Sequence, residues 1–253
     1  MEGAASRPWS PDVELSPEDA ARRIAEQFPA LAGAGADGVP HLEPLGRGWD
    51  NDAYLVNGSL VFRFPRRRIA AVCLRNEIAS LPAIARSLPL PVPDPTHVGE
   101  PTEAYPYPFA GYARIAGRTA CSVVLDAEDR RRCAAPLGRF LAALHALPVP
   151  GWAPEDPAGR KDVAALVSKS LARIEALSAA GAGRAGSAAV LAAARATIER
   201  LAGTAEWDGV ARWSHGDLYV RHLLVDEGRA LSGVIDWGDV HAGETADDLS
   251  IAF

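Results

Sequence analysis

The order of hydrophobic and polar residues near the start of the chain predicts three short strands, at residues 41–46, 53–56 and 60–64. Asn57-Gly58 is expected to form a two-residue hairpin turn between the last two, because both residues tolerate positive φ. Alternation in the third strand places Leu60, Phe62 and Phe64 on one face, and Val61 and Arg63 on the other. The pattern indicates a small antiparallel sheet.

Helical spacing dominates most of the remaining chain. Ser16-Pro17-Glu18-Asp19 predicts a helix start, with a serine N-cap, proline at the first helical position and acids in the first turn. Further helices are expected at 69–88, interrupted at Pro82, and at 163–180 and 188–201. A strand is expected at 107–115. An i, i+3, i+4, i+7 stripe indicates one more helix, through Leu137, Phe140, Leu141 and Leu144.

These elements predict an α+β chain in three parts. Residues 1–15 are expected to be a flexible tail, because they precede the first helix signal. Residues 16–115 carry the strand signals and are expected to form an N-terminal lobe. Residues 116–253 are expected to form a mostly helical C-terminal lobe.

Composition narrows the functional classes. The chain has 253 residues, 48% of them hydrophobic, and a net charge of −6, so nucleic acid is not an expected partner. No apolar run approaches the roughly 20 residues that a membrane helix needs. The three cysteines show no C-x-x-C spacing and favour reduced thiols in a cytoplasmic protein.

The strongest chemical signal comes near the end, where two short apolar strands each carry an aspartate to a loop. Asp217 leads into the first strand, and Asp236 ends the second, with a turn at residues 226–229 between them. Phosphoryl transfer needs such a pair, one carboxylate to orient or deprotonate the attacking hydroxyl and another to hold Mg²⁺ on nucleotide phosphates.

The run from His215 to His222, H-G-D-L-Y-x-x-H, followed by I-D-W-G at residues 235–238, resembles the aminoglycoside phosphotransferase family. Its form is most similar to the macrolide phosphotransferase branch. The resemblance implies a two-lobed protein-kinase-like fold that moves a phosphate from ATP or GTP, with magnesium, to a hydroxyl of a small-molecule antibiotic. It makes Asp217 the catalytic residue and Asp236 a metal ligand.

His222 stands where most of the family has asparagine as a second metal contact. Mg²⁺ prefers oxygen ligands, so three roles stay open: a metal contact through water, a hydrogen bond to Asp217 or Asp236, or a structural role. A zinc site formed by the histidines is the less favoured alternative, because their spacings match no recognised zinc motif.

The resemblance also implies a nucleotide site in the N-terminal lobe. Gly46, Gly48 and Asn51 lie in the place of the phosphate-covering loop. The only lysines are Lys161 and Lys169, so Arg63 is expected to replace the phosphate-binding lysine and to pair with Glu77. Alternatively, Arg66, Arg67 or Arg68 supplies the phosphate contact. Backbone groups from Ala113 to Ile115 are expected to read the nucleobase.

Two other functions stay open, a kinase of another hydroxylated metabolite and a non-catalytic nucleotide-binding relative. Family members continue for several helices beyond the final D-D-L motif at residues 247–249. The resemblance therefore implies that helices forming much of the substrate pocket are missing from this chain.

Overall fold

The computed structural model of the chain describes residues 10–33, 38–157, 159, 162–180, 187–202, 209–249 and 251. The chain divides into two compact units, one formed by residues 1–157 with 211–253 and the other by residues 158–210. This division differs from the predicted boundary at residues 115 and 116. The larger unit contains two separate hydrophobic clusters; one is built on the first sheet and α1, and the other combines Leu81, Ile84 and Val92 with residues after 119.

A five-stranded antiparallel sheet forms the first lobe, in the order β1-β2-β3-β5-β4. Its strands are β1 (Leu42–Arg47), β2 (Asn51–Val56), β3 (Leu60–Pro65), β4 (His97–Gly99) and β5 (Phe109–Ala113). The three strands of the predicted small sheet are confirmed, as is the strand within 107–115. The short β4 was not predicted.

The hairpin between β2 and β3 differs from its prediction in one respect. Val56 pairs with Leu60, so the loop contains three residues rather than two. Asn57 and Gly58 nevertheless have the positive φ angles expected of them, 49° and 71°. The third loop residue, Ser59, donates its N–H to the Val56 carbonyl oxygen at 3.2 Å and closes the turn.

The core of this lobe lies between one face of the sheet and α1 (Pro17–Gln27). Ser16 caps α1 by accepting from the Asp19 N–H at 3.0 Å, as predicted. Phe62 and Phe64 are buried on the predicted apolar face, where Phe64 stacks on Phe109 with ring centroids 4.6 Å apart. The alternation along β3 therefore predicted the packing of this lobe.

Part of the predicted tail belongs to this lobe. Residues 1–9 lie outside the described residues, but Leu15 is buried in the core. Asp12 and Val13 both donate their backbone N–H groups to the Arg66 carbonyl oxygen. The prediction of a flexible tail is thus wrong for the backbone of these last residues, because a single buried leucine and two backbone bonds anchor them.

Helix α2 (Arg68–Ile84) runs through Pro82 without the predicted interruption. Proline lacks a backbone N–H, so Pro82 removes one hydrogen bond of the helix. Pro82 lies in the final turn, and the rest of the helix keeps its hydrogen bonds. A 3₁₀ turn at Ala85–Ser87 continues the chain. Cys73 and Glu77 therefore lie on one uninterrupted helix.

The second lobe packs α3 (Ala127–Ala146) against three short strand pairs. The remaining strands of this lobe are β6 (Arg118–Thr119), β7 (Arg212–Ser214), β8 (Leu223–Val225), β9 (Leu231–Val234) and β10 (His241–Gly243). The predicted stripe on α3 is confirmed: Phe140, Leu141 and Leu144 are buried, and Leu137 packs against the same cluster. The pairs β6–β8 and β7–β10 were not predicted.

The smaller unit contains α4 (Val163–Ala179) and α5 (Ser187–Leu201), close to the two predicted alanine-rich helices. Asp162 caps α4 by accepting from the Ala165 N–H at 2.8 Å. The last helix of the chain, α6 (Ala246–Leu249), belongs to the larger unit. None of the helices in the described ranges combines the length and the apolar character that crossing a bilayer requires.

Candidate active site

Asp217 lies on a loop that follows β7 and is fixed by one buried carboxylate, that of Asp248. The Asp248 carboxylate accepts hydrogen bonds from the Ser214 hydroxyl at 2.9 Å and from the backbone N–H groups of His215 and Gly216 at 3.0 and 2.9 Å. The His145 imidazole of α3 contacts it at 2.9 Å through Nε2. Although burial alone would raise the pKa of Asp248, these hydrogen bonds lower it.

Gly216 is required by a close approach of two loops. Its φ is +84°, and a Cβ atom there would lie 2.3 Å from the Asp239 carbonyl oxygen. No larger side chain fits without moving the backbone. The glycine therefore lets the loop before β10 support the loop that carries Asp217.

His215 is a structural residue of this loop. Its imidazole is buried, lies against the Trp237 ring and contacts the Ile235 carbonyl oxygen at 3.1 Å through Nε2. Burial lowers the pKa of His215 to about 4, so the ring is neutral near neutral pH and donates through Nε2. These contacts hold the loop that carries Asp217 against the residues around Asp236.

Asp236 follows β9 and carries a backbone φ of 63°, an unusual value for a residue other than glycine. Its side chain is half-exposed, and each carboxylate oxygen has a partner. Arg63 donates to Oδ1 at 2.7 Å, and His222 Nε2 lies 3.2 Å from Oδ2. Burial alone would raise the pKa of Asp236, but the Arg63 charge and the His222 hydrogen bond hold it well below its usual range.

Arg63 links the two lobes. Its guanidinium donates to the buried Glu77 carboxylate at 2.6 Å and to Asp236 at 2.7 Å. Burial alone would lower the pKa of Arg63, but Glu77 and Asp236 raise it, so the side chain stays charged. The predicted Arg63–Glu77 pair is present, whereas the contact with Asp236 was not predicted.

His222 lies between the two candidate catalytic carboxylates. Its Nδ1–H donates to the Asp217 carbonyl oxygen at 2.7 Å, while Nε2 faces Asp236. Burial alone would lower the pKa of His222, but the hydrogen bond to Asp236 and its charge raise it. Of the three roles considered for His222, the hydrogen bond to Asp236 is the one present here. Its metal role stays a prediction.

The hairpin tip between β1 and β2 contains Gly48, Trp49 and Asp50. The Gly48 N–H donates to the Asn51 carbonyl oxygen at 2.9 Å, so this amide already has a partner. Gly46 lies within β1 beside a register shift, and Asn51 begins β2. The structure therefore places the three predicted loop residues in one hairpin, with their phosphate contacts still a prediction.

The arginines after β3 contact this hairpin. Arg66 donates to the Gly48 carbonyl oxygen at 2.8 Å, and Arg67 pairs with the Asp50 carboxylate. The Arg68 N–H donates to Asp12 at 2.7 Å. Sequence reasoning offered these arginines only as alternative phosphate contacts and missed their role in holding the hairpin.

The predicted nucleobase segment, Ala113 to Ile115, leads from β5 toward β6. It lies against the β8–β9 hairpin, because a Cβ atom at Gly233 would approach the Ile115 side chain to 2.6 Å. The next glycine, Gly117, has a φ of +137° and fits closely against Ser232. Tight packing thus brings this segment to the β8–β9 hairpin, which Asp217 precedes and Asp236 follows in the chain.

The donor chemistry of the site fits magnesium. Mg²⁺ is usually held by one or two carboxylates together with phosphate oxygens and water, and Asp217 and Asp236 are both half-exposed carboxylates. Among the residues that the structure describes, no three His, Cys, Asp or Glu side chains form a ready-made metal cluster. Asp236, the predicted metal ligand, therefore fits the ion, with phosphate oxygens and water to complete its shell.

A family model described as the phosphotransferase enzyme family matches residues 41–253. The chain belongs to this family, as the motif around Asp217 and Asp236 predicted. A search of curated proteins gave no match.

Solved structures support the same fold. The GDP complex of a mutant aminoglycoside 2'-phosphotransferase-IIIa is 26% identical, with a TM-score of 0.72, over 91% of this chain and 74% of that one. The streptomycin–ATP complex of APH(2")-IIa is 18% identical with a TM-score of 0.64, covering 94% and 75% of the two chains. Macrolide 2'-phosphotransferase MphH from Brachybacterium faecium is 22% identical with a TM-score of 0.56, covering 92% and 75%. The predicted α+β, kinase-like fold is confirmed.

Proposed function

We propose that the chain transfers the γ-phosphate of ATP or GTP to a hydroxyl group of an aminoglycoside or macrolide antibiotic. The proposal rests on one arrangement. Arg63 contacts Asp236, His222 lies between Asp236 and Asp217, and Arg63 is also paired to Glu77. Family membership supports the reaction type. The names of the similar structures, which include GDP and ATP complexes and both antibiotic classes, support the donor and the acceptor.

Asp217 is the residue proposed to act on the acceptor. Its carboxylate is half-exposed, whereas the backbone that carries it is fixed by Asp248. A carboxylate held in this way accepts the hydroxyl proton, or orients the hydroxyl in line with the phosphorus atom, as the phosphoryl group moves. The Asp217 carbonyl is held by His222, which limits rotation of the loop around it.

The donor is proposed to bind between the β1–β2 hairpin and the Ala113–Ile115 segment. Arg63 carries a fixed positive charge that suits the α- and β-phosphates, and guanidinium groups bind phosphate oxygens bidentately. Asp236 is the carboxylate that would hold Mg²⁺, and the ion would neutralise phosphate charge. Most of the rate enhancement is then expected from positioning and charge stabilisation.

A product assay tests this function. Purified protein is mixed with ATP or GTP, with or without Mg²⁺, and with a panel of aminoglycosides and macrolides, and nucleoside diphosphate and phosphorylated drug are measured. Release that requires Mg²⁺ and one drug class, with a mass increase on that drug, is the expected result. Donor binding without any drug-dependent release would contradict an antibiotic acceptor, and absence of donor binding would contradict the proposed reaction.

A further inference from the structure

The hairpin between β1 and β2 is tied to the start of α2 by side chains rather than by sheet contacts alone. Asp50 lies at the hairpin tip, and Arg67 immediately precedes α2. Arg67 donates through Nε to Asp50 Oδ1 at 3.1 Å, and its Nη2 group pairs with the same carboxylate oxygen. Two donors of one guanidinium thus converge on one carboxylate oxygen.

A neighbouring arginine holds the backbone on both sides of the tip. The Arg66 N–H donates to the Asp50 carbonyl oxygen at 2.7 Å, and its Nη1 group donates to the Gly48 carbonyl oxygen at 2.8 Å. At the base of the hairpin, the buried Asp52 carboxylate pairs with Arg47 at 3.0 Å. Charged contacts therefore hold the hairpin at its base, its backbone and its tip.

These contacts reach the catalytic charges through α2. Arg67 lies at the helix start, and Glu77 lies further along the same helix, where it holds Arg63. Arg63 in turn contacts Asp236. The hairpin tip and Arg63, the proposed phosphate-binding arginine, are therefore both held by residues of α2 or its N-cap.

We propose that the Asp50–Arg67 pair is a latch that fixes the β1–β2 hairpin on the start of α2 and so sets its position over the donor phosphates. This inference rests on the proposed nucleotide-dependent function. Asp50 and Arg67 are positioning residues in it, because they act through the hairpin backbone. Breaking either side of the latch loosens the hairpin tip, which the backbone contacts of Arg66 still hold in part, while the core of the lobe is untouched.

The latch differs in its consequences from a direct phosphate contact by Arg67. If Arg67 bound a donor phosphate, Asp50 would compete with that phosphate, and removing the Asp50 charge would tighten donor binding. If the pair is a latch, removing either charge loosens the hairpin and weakens binding. The two single variants therefore separate the two roles by the direction of their effects.

The experiment compares Asp50→Asn, Arg67→Gln and the double variant with the wild-type chain. Arg22→Gln is the matched control, because Arg22 pairs with an aspartate on α1 of the same lobe, away from the hairpin. Hydrogen exchange at the amides of residues 46–52 is measured without nucleotide, and the dissociation constants of ATP and GTP with Mg²⁺ are measured by calorimetry. Melting temperatures of all variants check that the lobe stays folded.

Each single variant is expected to speed exchange in residues 46–52 and to weaken donor binding about fivefold, the effect of losing a partly exposed ion pair. The double variant is expected to match the single variants, and Arg22→Gln to match the wild type. Additive losses, unchanged exchange, or tighter binding in Asp50→Asn would overturn the latch. If the wild type binds no donor, the proposed function fails, while the exchange data still decide whether the pair holds the hairpin.

Discussion

The two loops that face the proposed reaction are held by different kinds of interaction. The loop that carries Asp217 is fixed from within, by the fully buried Asp248 carboxylate and its backbone donors. The β1–β2 hairpin tip is held nearer the surface, by the partly exposed ion pair of Arg67 with Asp50 and by the hydrogen bond of Arg66 to the Gly48 carbonyl oxygen. Buried hydrogen bonds are costly to break, whereas exposed ion pairs are weak and screened by salt. The acceptor side is therefore rigid, and the donor side is adjustable.

The largest effect is expected from removing the charge of the carboxylate at the centre of the site, that of Asp236. Asp236→Asn keeps the shape of the side chain and removes the charge that Arg63 and His222 contact. Transfer is expected to fall by a factor of about 10³ or more, because phosphate charge is no longer neutralised in the transition state. Steady-state rates over a Mg²⁺ titration measure the loss, and a rate within tenfold of the wild type would exclude the role given to Asp236.

Arg63 contacts Glu77 in one lobe and Asp236 in the other, so replacing it tests the link between the donor side and the acceptor side. Arg63→Ala leaves the Glu77 carboxylate buried without its partner, and donor affinity is expected to fall by about one to two orders of magnitude. Arg63→Lys keeps the positive charge but not the planar guanidinium group, and should recover part of the lost donor affinity. Calorimetric donor binding checks the order wild type, Arg63→Lys, Arg63→Ala. Glu103→Gln, at an exposed turn of the same lobe, serves as control.

The buried anchor of the Asp217 loop is tested by Asp248→Ala. Four groups then lose their acceptor, and the unfolding free energy is expected to fall by about 2–4 kcal/mol, with a lower transfer rate but little change in affinity for the nucleotide donor. Folding lowers the pKa of Asp248 from its ordinary value of 3.8, so its contribution to stability is complete above that value and is lost as the pH falls through the folded-state pKa.

Chemical denaturation at pH 7 and at progressively lower pH measures this contribution. The difference between wild type and Asp248→Ala should be largest near neutral pH and should shrink below about pH 4. A difference that grows as the pH falls would contradict an anionic Asp248 as the anchor.

Salt gives the smallest expected effect and separates the two loops directly. Raising ionic strength from about 0.05 to 0.5 M shortens the Debye length to a few ångströms and should speed amide exchange in residues 46–52 by a few fold. Exchange in residues 214–217 should change much less, because their partner is buried. Equal sensitivity of the two loops to salt would show that they are not held differently.

The sequence predicted the regular parts of this arrangement well. Period-two alternation identified β3, and the i, i+3, i+4, i+7 stripe identified the buried face of α3, because each pattern reports one buried face. The spacing of Asp217 and Asp236 around a turn predicted the β8–β9 hairpin. Arg63 and Glu77 were predicted as a pair because no lysine lies nearby and Glu77 is the only acid between Phe64 and Pro93.

Contacts between residues far apart in the chain were harder to predict from the sequence. The contacts of His145 with Asp248 and of Arg67 with Asp50 join residues far apart in the chain, and no local pattern marks them. Short strands such as β4 and β10 contain three residues each, too few to show a period. Leu15 was assigned to a tail because Val13 and Leu15 alone are too few apolar residues to give a periodic signal.

The central claim is that Asp217 acts on the acceptor while the donor is held by separate groups. The most direct test is Asp217→Asn, with donor binding measured by calorimetry and transfer measured by product mass in the same preparation. The account predicts donor dissociation constants within about twofold of the wild type and a transfer rate lowered by about 10³ or more. Transfer at the wild-type rate, or loss of donor binding together with transfer, would contradict it.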